Sequence, residues 1–221
     1  MHDMTLYESK NHILVCLYDN DRDPGGQPRT WGNQYLIKRN NKTILLHPAG
    51  LNNMARVLVA IHKYTSLDQI SDIIVSNQNP ETIQAMASWL MLTKADVHIS
   101  NVWVKSLQEC DITTEIDRIH GIPDGGMNLA LDDYYGIQII PAYFLNSEGH
   151  INVYDPESKI LFSGIIGSAT TNLTGDLFVE NFNQHIQHIK PFHQRYTSGI
   201  IKLAPRHCEI AKRLKQSTLF K

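Results

Sequence analysis

Short apolar runs separated by polar turn signals predict mainly strands in the first part of the chain. His12–Tyr18 is such a run, and Asp19–Thr30, a polar segment rich in glycine and proline, ends it. Gln34–Lys38 and Lys42–His47 flank two asparagines and predict a hairpin. Asn53–Tyr64 carries its apolar residues at helical spacing and predicts a helix.

A helix start is predicted near the middle of the chain. Ile70–Ser76 reads as a buried strand, and Asn79-Pro80-Glu81 follows it. Asparagine is a good N-cap, proline suits the first helical position and an early glutamate complements the helix dipole, so we expect a helix through Met91. Further strands are expected at Val97–Ser100, Ile112–Ile119, Met127–Asp132, Ile137–Ala142, His150–Tyr154, Lys159–Phe162 and Ile200–Leu203, with helices at Leu177–Tyr196 and His207–Leu219.

Strands and helices come in blocks rather than in steady alternation. This order favours two mostly separate sheets with helices on their outer faces, which is an α+β fold. We find no repeat, no low-complexity segment and no linker, and therefore expect one domain over residues 1–221.

Composition and charge exclude several classes of protein. With 42% apolar and 19% charged residues, the chain is neither disordered nor fibrous. A formal charge of −2 gives no general attraction to nucleic acid or to an acidic membrane, so we expect neither as a partner. The apolar runs near the start are too short for a signal peptide or a membrane span, and the three cysteines form no disulfide framework, so the cytoplasm is the expected location.

Four stretches carry a family resemblance: Ile74–Pro80, Pro141–Ser163, Gly164–Gly167 and Leu203–His207. In this order they resemble the metallo-β-lactamase-like domain of flavodiiron proteins and of their stand-alone oxygen-binding diiron relatives. The resemblance spans about Trp31 to Leu214 and implies an αββα sandwich of the metallo-β-lactamase type. It also implies a metal site at the loop ends along one edge of the sandwich. No flavodoxin-like segment follows, so we expect no flavin domain.

The resemblance implies six metal-ligand positions, and this chain carries there Asn77, Asn79, Glu81, Asn146, Ile165 and His207. The family has histidine at the first, fourth and last positions and acidic residues at the other three. His207 alone keeps its residue type, and Glu81 keeps its charge. An amide is a poor ligand for iron or zinc and an isoleucine offers no lone pair, so we expect no catalytic residue, no bound metal and no cofactor. If a metal is present, we expect iron or zinc.

Simpler interpretations of these residues stay open. Asn77 and Asn79 suit a turn and a helix cap, and Glu81 suits a first helical turn. A relocated metal site could use other histidines, of which the candidates are His47, His98, His120, His150, His185, His188 and His193. Cys208 beside His207 is a candidate nucleophile, and the loop from Gly164 to Thr171 lacks the sequence of a phosphate-binding P-loop.

Three functions follow from these observations. The first is a non-catalytic sensory or regulatory domain that binds a small ligand or a regulatory protein at the six positions named above. The family's stand-alone members are associated with oxygen sensing and signalling, which supports it by analogy. The second is an oxygen- or nitric-oxide-reactive diiron enzyme or sensor, or a hydrolase, with a rebuilt site. The third is an assembly role, since relatives commonly form homodimers.

Overall fold

The computed structural model describes residues 3–17, 33–108, 115–142, 148–164 and 202–205. Four α-helices lie in this part of the chain: α1 Leu51–Ile61, α2 Pro80–Gln84, α3 Met86–Leu92 and α4 Asn101–Gln108. The strands are β1 Met4–Glu8, β2 His12–Cys16, β3 Tyr35–Arg39, β4 Lys42–Leu46, β5 Ile70–Val75, β6 Asp96–Ser100, β7 Ile119–Ile122, β8 Met127–Ala130, β9 Gly136–Pro141, β10 Ile151–Asp155, β11 Ile160–Gly164 and β12 Lys202–Pro205.

Seven strands form the first sheet, and they follow one another in chain order from β1 to β7. The pairs from β1 to β4 are antiparallel, and those from β4 to β7 are parallel. Parallel neighbours need a crossover connection, and α1, α2 with α3, and α4 lie in the three crossovers. The sheet is therefore mixed, with its helical connections in the second half.

Five strands form the second sheet in the order β12–β11–β10–β9–β8. The pairs from β8 to β11 are antiparallel, and β12 lies parallel to β11. The predicted α+β class is confirmed by these two sheets. The helices expected at Leu177–Tyr196 and His207–Leu219 lie outside the described residues.

Two apolar layers make the core. One lies between the first sheet and its helices and includes Val57, Ile73 and the fully buried Trp89. The other lies against the opposite face of the first sheet and includes Ile44 together with Val153 of the second sheet. Side chains of one strand alternate between the two layers, because successive residues of a strand point to opposite faces. The result is a layered sandwich, as the block pattern predicts.

Several element boundaries differ from the sequence predictions. The helix expected from Pro80 through Met91 is divided at Ala85, a buried residue that ends α2 and begins α3. The strand expected at Ile112–Ile119 starts only at Ile119, after a short 3-10 helix. Helix α4 and strand β1 were not predicted, because segments of eight and five residues are too short for a clear periodic signal.

A buried hydrogen bond between two side chains joins the first sheet to the second. Nε2 of His12 on β2 lies 3.1 Å from Oδ2 of Asp155 on β10, and both residues are about 1% exposed. The amide of Ser158 also donates to Asp155 Oδ2, at 2.9 Å. Burial by itself raises the pKa of the Asp155 carboxyl, but the hydrogen bonds from His12 and Ser158 outweigh it and hold the pKa below its ordinary value.

Arg39 makes a second connection nearby. Its guanidinium donates to Asp132, after β8, and to Glu157, after β10, and it stacks on the ring of Tyr135 at 3.9 Å from the ring centroid. Tyr7 and Ser9 of the β1–β2 hairpin also donate to the Glu157 carboxylate. Because the Arg39 guanidinium and its partners form one network, loss of any member would leave buried polar groups unpaired. The network therefore stabilises this end of the sandwich.

We predict that Asp155→Asn lowers the free energy of unfolding by about 2 kcal/mol at neutral pH, because a charge-assisted buried hydrogen bond is lost. A carboxyl whose pKa is lowered on folding stabilises the protein above its unfolded pKa, and this contribution disappears as the pH falls through the folded pKa. The difference between wild type and variant should therefore shrink below about pH 4. Urea unfolding from neutral to acid pH measures it.

The matched control is Asp133→Asn, since Asp133 is exposed on the β8–β9 turn. It should leave the unfolding curve unchanged. An Asp155→Asn variant as stable as this control would contradict a stabilising role for the pair.

Candidate functional site

Two loops meet at the carboxyl ends of β4 and β5. Because these strands are parallel, residues 47–50 and 76–79 leave the sheet at the same edge. Two side chains of the following helices hold the first loop: Thr82 Oγ1 donates to the Pro48 carbonyl at 3.2 Å, and Trp89 Nε1 donates to the Ala49 carbonyl at 2.8 Å. These two hydrogen bonds thus hold the loop against α2 and α3. Ligand sites of open parallel sheets occur at this edge.

His47 occupies an unusual backbone position in the first loop. Its φ of 59° lies in the left-handed region, which costs of order 1–3 kcal/mol for such residues when the structure imposes it. The His47 amide donates to the Ile74 carbonyl at 3.0 Å, and its Nδ1 contacts the Ser76 hydroxyl. Tyr35 packs its ring edge-on at 5.8 Å. The imidazole is buried and oriented from two strands.

Asn79 and Asn77 shape the second loop. Asn79 Oδ1 accepts the Glu81 amide at 3.0 Å, so Asn79 is the N-cap of α2 with Pro80 behind it, and the capping interpretation is confirmed. The Asn77 carbonyl accepts the Asn79 amide at 3.0 Å, and the Asn77 side chain is buried at 9% exposure. The amide oxygen of Asn79 is therefore already engaged with the backbone.

Glu81 lies exposed in the first turn of α2, against Gly50. A Cβ placed on Gly50 would lie 2.7 Å from the Glu81 Cβ and 3.1 Å from its carbonyl carbon. Only a glycine lets the two loops approach this closely. Gly50 is also the N-cap of α1, so the contact fixes where that helix begins.

The second sheet reaches the same edge through β10. The Ile151 amide donates to the Ser76 carbonyl at 2.9 Å, which is a backbone hydrogen bond between the two sheets. The residues just before Ile151 contact Trp103. Trp103 Nε1 donates to the Glu148 carbonyl at 2.9 Å, and a Cβ on Gly149 would lie 2.1 Å from the same nitrogen. His150, between these contacts, is fully buried.

The structure places three of the six predicted site residues and leaves three untested. Asn77, Asn79 and Glu81 share the β5–α2 segment, whereas Asn146, Ile165 and His207 lie outside the described residues. The sequence did not point to Ser76 or Trp103, because their partners come from distant parts of the chain.

The other candidate histidines have varied surroundings. His98 lies 2.8 Å from Asp72, and His120 lies 3.3 Å from Asp96, in both cases from Nε2 to a carboxylate oxygen. In the described ranges, no group of three or more His, Cys, Asp or Glu residues is arranged to hold a metal ion. His185, His188, His193 and Cys208 lie outside those ranges, as does the loop after Gly164.

Two sheets with helical crossovers, and polar loops at the carboxyl edge of the first sheet, define a metallo-β-lactamase-like domain. The family model described as "ODP family beta lactamase" matches residues 31–215. The chain therefore belongs to the ODP family of β-lactamase-like proteins, and the family resemblance seen in the sequence is confirmed.

Solved structures agree with this assignment. The apo state of the chemotaxis sensor ODP from T. denticola matches at 29% identity and a TM-score of 0.73, over 97% of this chain and 92% of that chain. The peroxy diiron species of the chemotaxis sensor ODP matches at 31% identity and a TM-score of 0.71, over 98% and 93%. A comparison with curated proteins gives no match.

A more distant likeness concerns the fold alone. A point mutant of the flavo di-iron protein from Thermotoga maritima is 16% identical, with a TM-score of 0.67 over 97% of this chain and 59% of that chain. Among the described helices, none is both long and apolar enough to cross a membrane.

The expectation that the chain has no cofactor is contradicted by these comparisons. The related sensor ODP has been solved as a peroxy diiron species, and that protein therefore carries iron. The described part of the first motif does not fit a diiron centre, however. Asn77 and Asn79 offer neutral amides, of which one already caps a helix, and Glu81 supplies the single anionic oxygen donor of the three.

We predict that Asn79→Ala lowers the free energy of unfolding by about 1 kcal/mol, because the Glu81 amide loses its cap. Asn79→Ser is the matched variant, since a serine hydroxyl accepts the same hydrogen bond. Chemical denaturation of both variants makes the comparison. Equal losses for alanine and serine would show that capping is not the role of Asn79.

A second prediction concerns the loop contact. Gly50→Ala should destabilise the protein by about 1–3 kcal/mol, as overpacking in a tight contact does, because the new Cβ meets the Glu81 Cβ and backbone. Gly125→Ala is the control, since a Cβ there meets nothing within 4 Å. Thermal and urea unfolding measure both variants. A Gly50→Ala protein as stable as the control would mean that the two loops separate easily.

Proposed function

We propose that this chain is a sensory domain, which responds to a small ligand at the edge formed by residues 47–50 and 76–79. The observation that carries the proposal is the match to the chemotaxis sensor ODP, which extends over 97% of this chain and 92% of that one at 29% identity. A match over nearly the whole of both chains supports a shared role more strongly than a shared fold does.

The proposal includes a degenerate first metal motif. Iron is the cofactor that the relatives indicate, and the changes to Asn77 and Asn79 weaken its hold, because two positions that supply an imidazole and a carboxylate in the family now supply amides. Amides donate and accept hydrogen bonds without requiring a charge. The same edge is therefore suited to a small hydrogen-bonding ligand beside Glu81.

The contacts around this edge support a route for a signal. Ser76, the residue before Asn77, holds the His47 imidazole through its hydroxyl and the Ile151 amide through its carbonyl. A ligand that displaces Asn77 thus acts on a loop of the first sheet and on a strand of the second. Signalling requires an element whose contacts differ between the ligand-free and ligand-bound states. The contacts of Ser76 would link the ligand site to the loop and to the strand.

A diiron enzyme with a rebuilt site is the second candidate, and the iron of the solved relative is the observation in its favour. An enzyme would need an iron site with an open position for its substrate. The first motif contributes one carboxylate toward such a site, so further ligands would have to come from elsewhere in the chain. The experiment below separates the two candidates.

We predict that restoring the family's ligands raises iron affinity. The variant is N77H/N79E/E81D/N146H/I165D, and we expect it to bind ferrous iron at least about 10-fold more tightly than wild type, since even outer partners of metal ligands change affinity by that factor. Anaerobic equilibrium dialysis with metal analysis gives both affinities. N41H/N128E, at two exposed positions, is the control for added imidazole and carboxylate.

Equal iron affinities for wild type and the restored variant would contradict a degenerate motif. Oxygen uptake by the iron-loaded wild type, measured with a chemical reductant present, tests the sensory role. After subtraction of a protein-free blank, uptake that does not exceed one equivalent per site supports a sensor, whereas continuous uptake supports the enzyme instead.

A further inference from the structure

Two histidines lie side by side on neighbouring parallel strands of the first sheet. His98 on β6 and His120 on β7 are register partners, with ring centroids 5.5 Å apart and 32° between the ring planes. Residues paired in this way point to the same face of a sheet. Here the face is that of Ile74 and Ile122, which belong to the apolar layer shared with the second sheet. Two imidazoles therefore meet beside this layer.

A carboxylate holds each of these imidazoles through its Nε2 atom. Nε2 of His98 lies 2.8 Å from Oδ1 of Asp72. Nε2 of His120 lies 3.3 Å from Oδ1 of Asp96. Metal-binding histidines almost always have a carboxylate, a carbonyl or a water on the ring nitrogen that does not bind the metal, because this partner fixes the tautomer and the orientation of the ring. The histidine pair has this arrangement twice, on adjacent strands.

The charge of Asp72 decides which nitrogen of His98 carries the hydrogen. Burial raises the pKa of the Asp72 carboxyl, but the hydrogen bonds from His98 and Ser71 outweigh it and hold this pKa below its ordinary value. The Lys42 ammonium, 3.2 Å from Oδ2 of Asp72, lowers the pKa further. An ionised carboxylate can only accept a hydrogen bond, so His98 donates from Nε2, and its neutral ring keeps the lone pair on Nδ1.

Nδ1 of His98 is a buried acceptor that no hydrogen bond uses within the part of the chain that the structure describes. His98 is 5% exposed, and a buried polar atom without a partner is rare enough to require an explanation, of which a bound ion is one. The His120 side chain is 46% exposed and opens the pair to solvent. An unused lone pair thus lies next to a second imidazole that an ion can reach.

We propose that His98 and His120 bind a zinc ion through their Nδ1 atoms. The carboxylates of Asp72 and Asp96 are then the outer partners of the two ligands. Imidazole nitrogen is a preferred ligand of zinc, at about 2.0–2.1 Å. Rotation of the half-exposed His120 ring about its side-chain bonds brings its nitrogen within reach of an ion bound to His98, since the two ring centroids are already 5.5 Å apart.

Two protein ligands define a weak and reversible site. Structural zinc sites have four protein ligands and catalytic sites have three, so water would take the remaining positions here. Such a site agrees with the finding that no group of three or more His, Cys, Asp or Glu residues in the described ranges is arranged for a metal ion. It suits a metal that binds and leaves as its concentration changes, rather than a permanent cofactor.

The histidine pair is separate from the edge formed by residues 47–50 and 76–79. Asp96 begins β6 and Asp72 is the third residue of β5, so the two carboxylates lie toward the amino ends of parallel strands. The two loops leave the carboxyl ends of β4 and β5, and the part of β5 from Asp72 to Val75 alone spans about 10 Å. The zinc site is therefore independent of the proposed sensory function, and either proposal can fail without the other.

Equilibrium dialysis of the full chain against zinc, with iron absent, provides the first test. We expect His120→Ala to bind one equivalent of zinc fewer than wild type, over the range in which wild type saturates, because one of the two ligands is gone. His62→Ala is the matched control, since His62 is an exposed histidine at the end of α1, and it should bind as much zinc as wild type. Circular dichroism and thermal unfolding verify that both variants are folded.

Equal zinc binding by wild type and His120→Ala would overturn the proposal, and so would a wild type that binds no zinc. An equal loss in His62→Ala would also overturn it, because the zinc would then bind to exposed histidines in general.

A second variant, Asp96→Ala, tests the outer partner of His120. It should weaken zinc binding about 10-fold and keep the stoichiometry, as loss of an outer hydrogen-bond partner typically does. Asp133→Ala, at an exposed position on the β8–β9 turn, should leave the zinc affinity unchanged. An affinity of Asp96→Ala equal to that of this control would contradict the role of the carboxylate.

Discussion

The hydrogen bond from the Ile151 amide to the Ser76 carbonyl fixes the relation between the two sheets at the site edge. The Trp103–Glu148 hydrogen bond lies close by and supports the same edge. At another place the sheets are joined by the buried His12–Asp155 pair and by Arg39. The candidate site is therefore formed by segments of both sheets, and not by a single loop.

Much of this fold could be predicted from local sequence, because strand runs and the Asn79-Pro80-Glu81 helix start are local signals. The hairpin of β3 and β4 lies within one residue of its prediction. Helix α4 was missed because it is only eight residues long, and it packs on β6 and β7. The interruption at Ala85 has no local signal in the sequence, since alanine is the best helix former.

The candidate site was less predictable than the fold, for a physical reason. A motif gives the identity of Asn77 and Asn79 but not the partner that each residue finds. The Asn79 side chain caps its own helix. His47, whose backbone lies in the left-handed region, instead contacts the Ser76 hydroxyl at the end of β5. Ligand identity and family membership point in different directions for the metal. Amides argue against tight binding, yet relatives of the same family carry iron.

The candidate site and helix α1 share Gly50. This glycine packs against Glu81 and is also the N-cap of α1, so one residue sets both the spacing of the two loops and the start of the helix. Trp89 donates to the carbonyl of Ala49, the residue before it, and holds the same loop against α3. A ligand that moves Glu81 therefore acts directly on the start of α1, without a long pathway through the core.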